Sequence, residues 1–261
     1  RRWLALPVFL FALTCFSTFL AGTMSWYPPY YLQRWVADGF SLMAVRQSVV
    51  ANWQDGLIYM GCVLAILLTH EMGHFLATVR YGIRASYPYF LPLPISPLGT
   101  LGAVIRMDGM RANRKEIFDI GLAGPLAGLV VAIPITWIGI QQMHAGVPEH
   151  GPFSVHPPLA MQAMMWASTG GAYEWGEPIS QGRLNPFLMA GWVGLLITGL
   201  NMLPVSQLDG GHVVYTLFRR KSRWIARGFI ALAIGYTIAT AAPWWLMIVL
   251  VMFIGVDHPP T

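Results

Sequence analysis

Apolar residues along this chain do not alternate with polar ones. They come in long blocks, separated by short polar or proline-rich stretches. A helix that crosses a bilayer needs about 20 consecutive apolar residues. Blocks near that length run from Trp3 to Met24, Gly56 to Val79, Ile117 to Ile140, Pro186 to Leu203 and Trp224 to Ala241. A sixth, Trp244 to Val256, is shorter; it spans only with tilt, or dips in as a hairpin partner. The pattern predicts an all-α polytopic membrane protein with about six transmembrane helices, organised as a single membrane-embedded domain over residues 1–261.

One stretch breaks the helical pattern. Tyr87 to Met107 is largely apolar, yet it holds Pro88, Pro92, Pro94 and Pro97, followed by Gly99 and Gly102. Proline at that density stops a helix. Non-helical backbone at membrane depth is tolerated only where protein covers it or it lines a water-filled cavity. The stretch therefore reads as a re-entrant loop or short β-hairpin between spans two and three, with an interfacial loop as the alternative.

Composition supports the membrane reading. The chain is 56% apolar and 10% charged, against about 45–50% and about 25% for soluble domains. A disordered protein, a nucleic-acid-binding domain and an ordinary soluble enzyme are excluded. The net charge of +5 follows from basic loops at a membrane surface. Arg1, Arg2, the loop from Arg80 to Lys115 and the segment from Arg219 to Arg227 hold 13 positive residues, whereas the opposite loops hold Arg34, Arg46 and Arg183. The positive-inside rule then puts both termini in the cytoplasm. Trp26, Tyr27, Tyr30, Tyr31, Trp35, Trp166, Tyr173 and Trp175 on the other face suit an interfacial belt or plain loops. Short loops and the lack of a recognisable targeting segment favour a bacterial inner membrane. Cys15 and Cys62, each inside an apolar block, build neither a disulfide framework nor a cysteine metal site.

Chemistry enters in the second block. His70-Glu71-Met72-Gly73-His74 is an HExxH motif. Residues four apart share a helix face, so two imidazoles so placed can hold one zinc ion, with the adjacent glutamate as base. Zinc needs a third protein ligand and an open position. Glu149, Glu174, Glu177, His144, His150 and His156 lie in one loop on the far face, while Asp108, Glu116 and Asp119 flank arginines or a helix start and suit pairing or capping. Asp209 differs. His74 and His70 precede Arg80 by six and ten residues, and Asp209 precedes Arg219 by ten. At 1.5 Å per residue these are depths of about 9, 15 and 15 Å from the basic side.

HEMGH followed by NMLPVSQLDGG resembles the site-2 protease family of intramembrane metalloproteases, whose patterns are HExxH and NxxPxxxxDG. Asn201, Pro204, Asp209 and Gly210 match the second pattern at each fixed position. The run GLAGPLAG, Gly121 to Gly128, and the run GTLGA, Gly99 to Ala103, also resemble family features. The resemblance covers a catalytic core of about residues 56–215. It implies one zinc per chain held by His70, His74 and Asp209, with Glu71 as general base and then acid. Asn201 would position substrate or stabilise the oxyanion. The implied reaction is hydrolysis of a peptide bond within or beside a transmembrane helix, so the implied partners are a transmembrane protein substrate and the lipid bilayer, without nucleic acid. His212 could support the site from behind. Gly99 and Gly102 would let a substrate backbone approach a strand edge, unless they serve only the turn. No PDZ-like insertion is visible. The rival readings are a metal-transporting membrane protein, a prenyl-protein protease and a non-catalytic relative; the full set of motif residues and the lack of an inverted repeat argue against them.

Overall fold

The computed structural model describes residues 2–105, 112–143, 151–205 and 208–240. Within them the chain is mostly helical. Helix α1 (Arg2–Thr23) is followed by a short α2 (Pro28–Ala37), a long α3 (Met43–Arg80), a hairpin of β1 (Tyr89–Leu93) and β2 (Gly99–Val104), and α4 (Arg114–Gln141). Then come β3 (Ser154–Val155), α5 (Leu159–Ser168), β4 (Ile179–Ser180), α6 (Pro186–Asn201), α7 (Asp209–Phe218) and α8 (Ser222–Thr240).

Among the described residues three helices are long and apolar enough to cross a membrane: Ala5–Thr23 within α1, and α3 and α4 over their full lengths. The fourth expected span is shorter than the hydropathy suggests. α6 has 16 residues and stops at Asn201, because Pro204 offers no N–H and disfavours helix at the residue before it. Pro204 thus lies in the turn after α6. α8 has 19 residues, but Arg223 and Arg227 in its first turns lower its hydropathy, and it is not among the three. The expected sixth span, Trp244 to Val256, lies outside the described residues.

The described chain forms two compact units, with α3, α4 and α6 running through both. The first contains α1, α2, α3 up to Glu71, the β1–β2 hairpin, α4 from Gly128, and α6 up to Ile197. Its core joins Ala21, Trp26, Tyr59, Val63, Phe90, Met189 and Val193, with a second cluster around Ile66, Met161, Ile179 and Leu188. α3 kinks at Asn52. There Ser48 Oγ and Asn52 Nδ2 both donate to the carbonyl of Thr23, which ends α1 and has no partner further along its own helix. Trp26, expected in an aromatic belt or a plain loop, is instead buried edge-on against Tyr59.

The proline-rich stretch is a β-hairpin over its described part. β1 and β2 pair antiparallel from Tyr89↔Val104 to Leu93↔Gly99, with an irregularity at Leu91/Pro92. Arg106 and Met107, at its expected end, lie outside the described residues. α1 holds the hairpin: Ser17 Oγ donates to the Gly99 carbonyl at 2.6 Å, and Phe11 meets Phe90 edge-on at 5.1 Å. From α3, the hydroxyl of fully buried Tyr59 donates to the Leu98 carbonyl at 2.9 Å.

The second unit contains α3 from Met72, α4 up to Ala127, and the described chain from Thr198 onward. α4 begins with a reciprocal capping box: Glu116 N donates to Asn113 Oδ1 at 3.0 Å, and Asn113 N donates to Glu116 Oε2 at 2.8 Å. Ile83, Ile117, Ile120, Val205 and Ala226 are among its buried apolar positions.

Candidate metal centre

The HExxH residues lie on the C-terminal half of α3. His70 and Glu71 are 3% and 4% exposed. Burying three ionisable side chains in an apolar helix is costly unless they have partners or a ligand. The four-residue spacing places His70 and His74 one turn apart on one face of the same helix.

α4 meets that face with glycines. Gly124 and Gly128 are four residues apart and so share one side of α4, while Gly121 lies against α7. A Cβ added to Gly128 would stand 3.2 Å from both Cβ and Nδ1 of His70, and one added to Gly124 would stand 2.0 Å from His74 Nε2. From α3, a Cβ on Gly73 would come within 2.4 Å of the Ala123 carbonyl oxygen. The two imidazoles therefore rest directly on the α4 backbone.

That contact also sets which nitrogen of His74 carries the proton. Its Nδ1 lies 2.8 Å from the carbonyl oxygen of Ile120. A carbonyl only accepts, so Nδ1 donates and Nε2 presents its lone pair. Side chains in a helix lean toward its N-terminus, so a side chain at position 124 would stand over the Ile120 carbonyl. Glycine leaves that oxygen open to the imidazole.

Asp209 approaches from α7, of which it is the first residue. A Cβ on Gly210 would fall 2.1 Å from the Met202 carbonyl oxygen. The glycine thus lets the start of α7 lie directly on the turn that ends α6. Asp209 Oδ2 is 3.2 Å from His74 Nε2, and the two side chains are 18% and 12% exposed. A lone pair and a carboxylate oxygen do not face each other at that distance without a cation between them, a proton or a metal ion. One ligand atom from each of His70, His74 and Asp209 lies within 4.8 Å of the others, the only such metal-capable group among the described residues. Two imidazoles and one carboxylate are a donor set suited to zinc, and the missing Cβ at Gly124 admits the His74 ring that supplies one of them. The residues fit a zinc ion.

The other expected site residues fall as follows. Asn201 is the half-buried last residue of α6. Gly99 and Gly102 are both buried in β2, with φ of +72° and +107°. A Cβ on Gly99 would stand 2.7 Å from Thr18 Cα, so its close approach is to α1. His212 lies against Gly121, its Cβ 3.5 Å from where a Gly121 Cβ would be. Glu116 caps α4, Glu177 pairs with Arg183 at 3.7 Å, and Asp119 accepts from the Tyr81 hydroxyl. Glu174 and His156 are exposed. Asp108, His144, Glu149 and His150 lie outside the described residues. Sequence reasoning missed the Ile120 carbonyl as the group that orients His74. The only signal for it was a glycine four positions later on the same helix.

Residues 58–242 match the family described as Peptidase family M50. The chain is 35% identical over 167 residues to the probable zinc metalloprotease EGY1, chloroplastic, of Arabidopsis thaliana, which is 61% of this chain and 29% of that protein. It is 29% identical over 205 residues to the probable zinc metalloprotease EGY2, chloroplastic, of the same plant, covering 75% of this chain and 35% of that one. It thus spans about a third of the length of these curated relatives. Among solved structures it is similar to the site-2 protease from Methanocaldococcus jannaschii, with a TM-score of 0.41 and 19% identity over 79% of this chain and 82% of that one. The family match takes in the histidine-bearing end of α3, the hairpin and helices α4 to α7, and the chain belongs to peptidase family M50, the site-2 proteases.

Proposed function

We propose that this chain is an intramembrane zinc metalloendopeptidase that hydrolyses a peptide bond within or beside a transmembrane helix of another membrane protein. The observation that carries this reading is His74, with Nδ1 committed to the Ile120 carbonyl and Nε2 facing Asp209 at 3.2 Å. His70, His74 and Asp209 would hold the zinc. When bound, zinc acidifies water and polarises a carbonyl. Glu71 takes the proton from the attacking water and passes it to the leaving amine. Its burial keeps that carboxylate away from bulk solvent. Asn201 turns amide donors toward the substrate carbonyl as negative charge develops there.

A substrate helix hides its amides in its own hydrogen bonds and must unwind before attack. The unwound segment would add to an edge of the β1–β2 hairpin. Exposed Leu101 and Val104 on β2 support this reading. Gly99 keeps the strand against α1, and Gly102 lets the β2 backbone turn. In the fuller architecture α6, α8 and the following apolar block add further spans, for about six in all, with the hairpin re-entering the membrane. The basic ends lie on the cytoplasmic side of a bacterial inner membrane, both termini with them, and the site opens toward that side.

The test begins with metal. Protein purified in mild detergent should hold about one zinc per chain, and Asp209→Ala should lose it. Zinc retained by Asp209→Ala would break the ligand set. With a transmembrane reporter substrate, Glu71→Gln should keep its zinc and lose cleavage by about 10²- to 10⁴-fold.

A further inference from the structure

We propose that Tyr81 and Asp119 form a clamp that sets the axial and rotational position of α4 against α3, and through it the aim of His74 at the metal. The inference rests on the metal reading above and concerns residues outside the ligand set. Tyr81 follows the last residue of α3 and lies seven positions beyond His74, close to two helical turns, so the two point to nearly the same side. The Tyr81 hydroxyl donates to Asp119 Oδ2. Asp119 directly precedes Ile120, whose carbonyl accepts from His74 Nδ1 at 2.8 Å. The C-terminal end of α3 is therefore fastened to two consecutive residues of α4, once through a backbone oxygen and once through a carboxylate.

The physical need for the second bond follows from the first. The group that orients His74 is a backbone carbonyl, and it moves only as its helix rotates or slides. Interlocking side chains normally hold a helix against both motions. Here the contact is made through Gly73 and Gly124, which have no side chains to interlock. The smooth surface that admits the imidazole gives up the ridges that would fix the register. A directional bond one residue from the carbonyl replaces them. Asp119 is not needed for the helix start, where Asn113 and Glu116 already cap each other. The bond to Asp119, followed by partial desolvation and the Asp119 charge, holds the Tyr81 phenol proton above its ordinary range. A phenol is a donor at neutral pH even without that shift.

The experiment uses the full chain in detergent, with zinc affinity read by chelator competition. The visible spectrum of the Co²⁺-loaded protein reports ligand geometry, and thermal unfolding is followed on the metal-free protein. Tyr81→Phe and Asp119→Leu should each weaken zinc by about tenfold or more, the range seen when a ligand's supporting partner is removed. Both should alter the Co²⁺ spectrum while the metal-free protein melts where the unaltered chain does. Asp119→Asn, whose amide oxygen still accepts from Tyr81, should restore affinity and spectrum to near those of the unaltered chain. Unchanged affinity in Tyr81→Phe overturns the proposal. So does a loss of affinity that only tracks a loss of metal-free stability, or a Tyr81→Phe protein that does not fold, since either marks a plain packing role. An unaltered chain that binds no metal fails the metal reading and the clamp together. Normal zinc in the unaltered chain and in every variant fails the clamp alone.

Discussion

Gly99 and Gly124 make the same kind of contact for different ends. At Gly99 the backbone of β2 comes so close to α1 that an added Cβ would stand 2.7 Å from Thr18 Cα and 2.9 Å from the Ser17 carbonyl oxygen. At Gly124 an added Cβ would stand 2.0 Å from a ring nitrogen of His74. The first neighbour is backbone and cannot move without moving α1. The second is the tip of a side chain, aimed by one hydrogen bond and facing a carboxylate. Close approach alone therefore does not mark a site. The atom on the other side decides whether a glycine serves packing or chemistry.

The largest expected effect is at Gly124. Gly124→Ala would push the imidazole off the Ile120 carbonyl and away from Asp209. Zinc affinity should fall by about 100-fold or more, and cleavage with it. Stability should change little, because alanine favours a helix by about 0.5–1 kcal/mol over glycine and the displaced group is a side chain. A variant that keeps its zinc would erase the distinction between the two glycines.

The opposite outcome is expected at Gly99. Gly99→Ala combines a left-handed φ of +72° with a backbone collision. It should destabilise the protein by about 1–3 kcal/mol, the range for overpacking, seen as a lower Tm, with zinc still bound. Loss of zinc at unchanged Tm would show that the hairpin and the metal centre cannot be separated in this way. The smallest effect is expected at Gly128. Its added Cβ would lie 3.2 Å from both Cβ and Nδ1 of His70, so that side chain needs to give by only a few tenths of an ångström. Gly128→Ala should weaken zinc by less than about tenfold. A loss as large as that at Gly124 would mean that the two histidines tolerate displacement equally.

Much of the architecture was legible because hydropathy reports length and burial directly. The blocks at α1, α3 and α4 are three helices of spanning length among the described residues, and proline density marked the non-helical stretch in which β1 and β2 pair. The misreadings also have a cause. Hydropathy does not register where a helix stops, so the block ending at Leu203 runs past the helix end at Asn201 into the turn before Pro204. Nor does composition distinguish an interfacial tryptophan from a buried one such as Trp26. At the candidate site, HExxH could be read because both histidines lie on one helix, where spacing is geometry. Asp209 could be proposed from its depth and its motif. The roles of Tyr81 and Asp119 could not be read at all, since nothing in the spacing of 81 and 119 places them together.

The sequence alone determined the three long apolar helices, the break at the prolines and the pairing of His70 with His74 on one helix face, because helix period, proline chemistry and apolar length act within a few residues of chain. The tertiary structure decided which atoms meet. The Ile120 carbonyl reaches His74 only because α4 presents a glycine at that turn, and Asp209 reaches His74 only because α7 starts tight against the end of α6. These are distances between segments far apart in sequence, and they depend on how closely two backbones can pack.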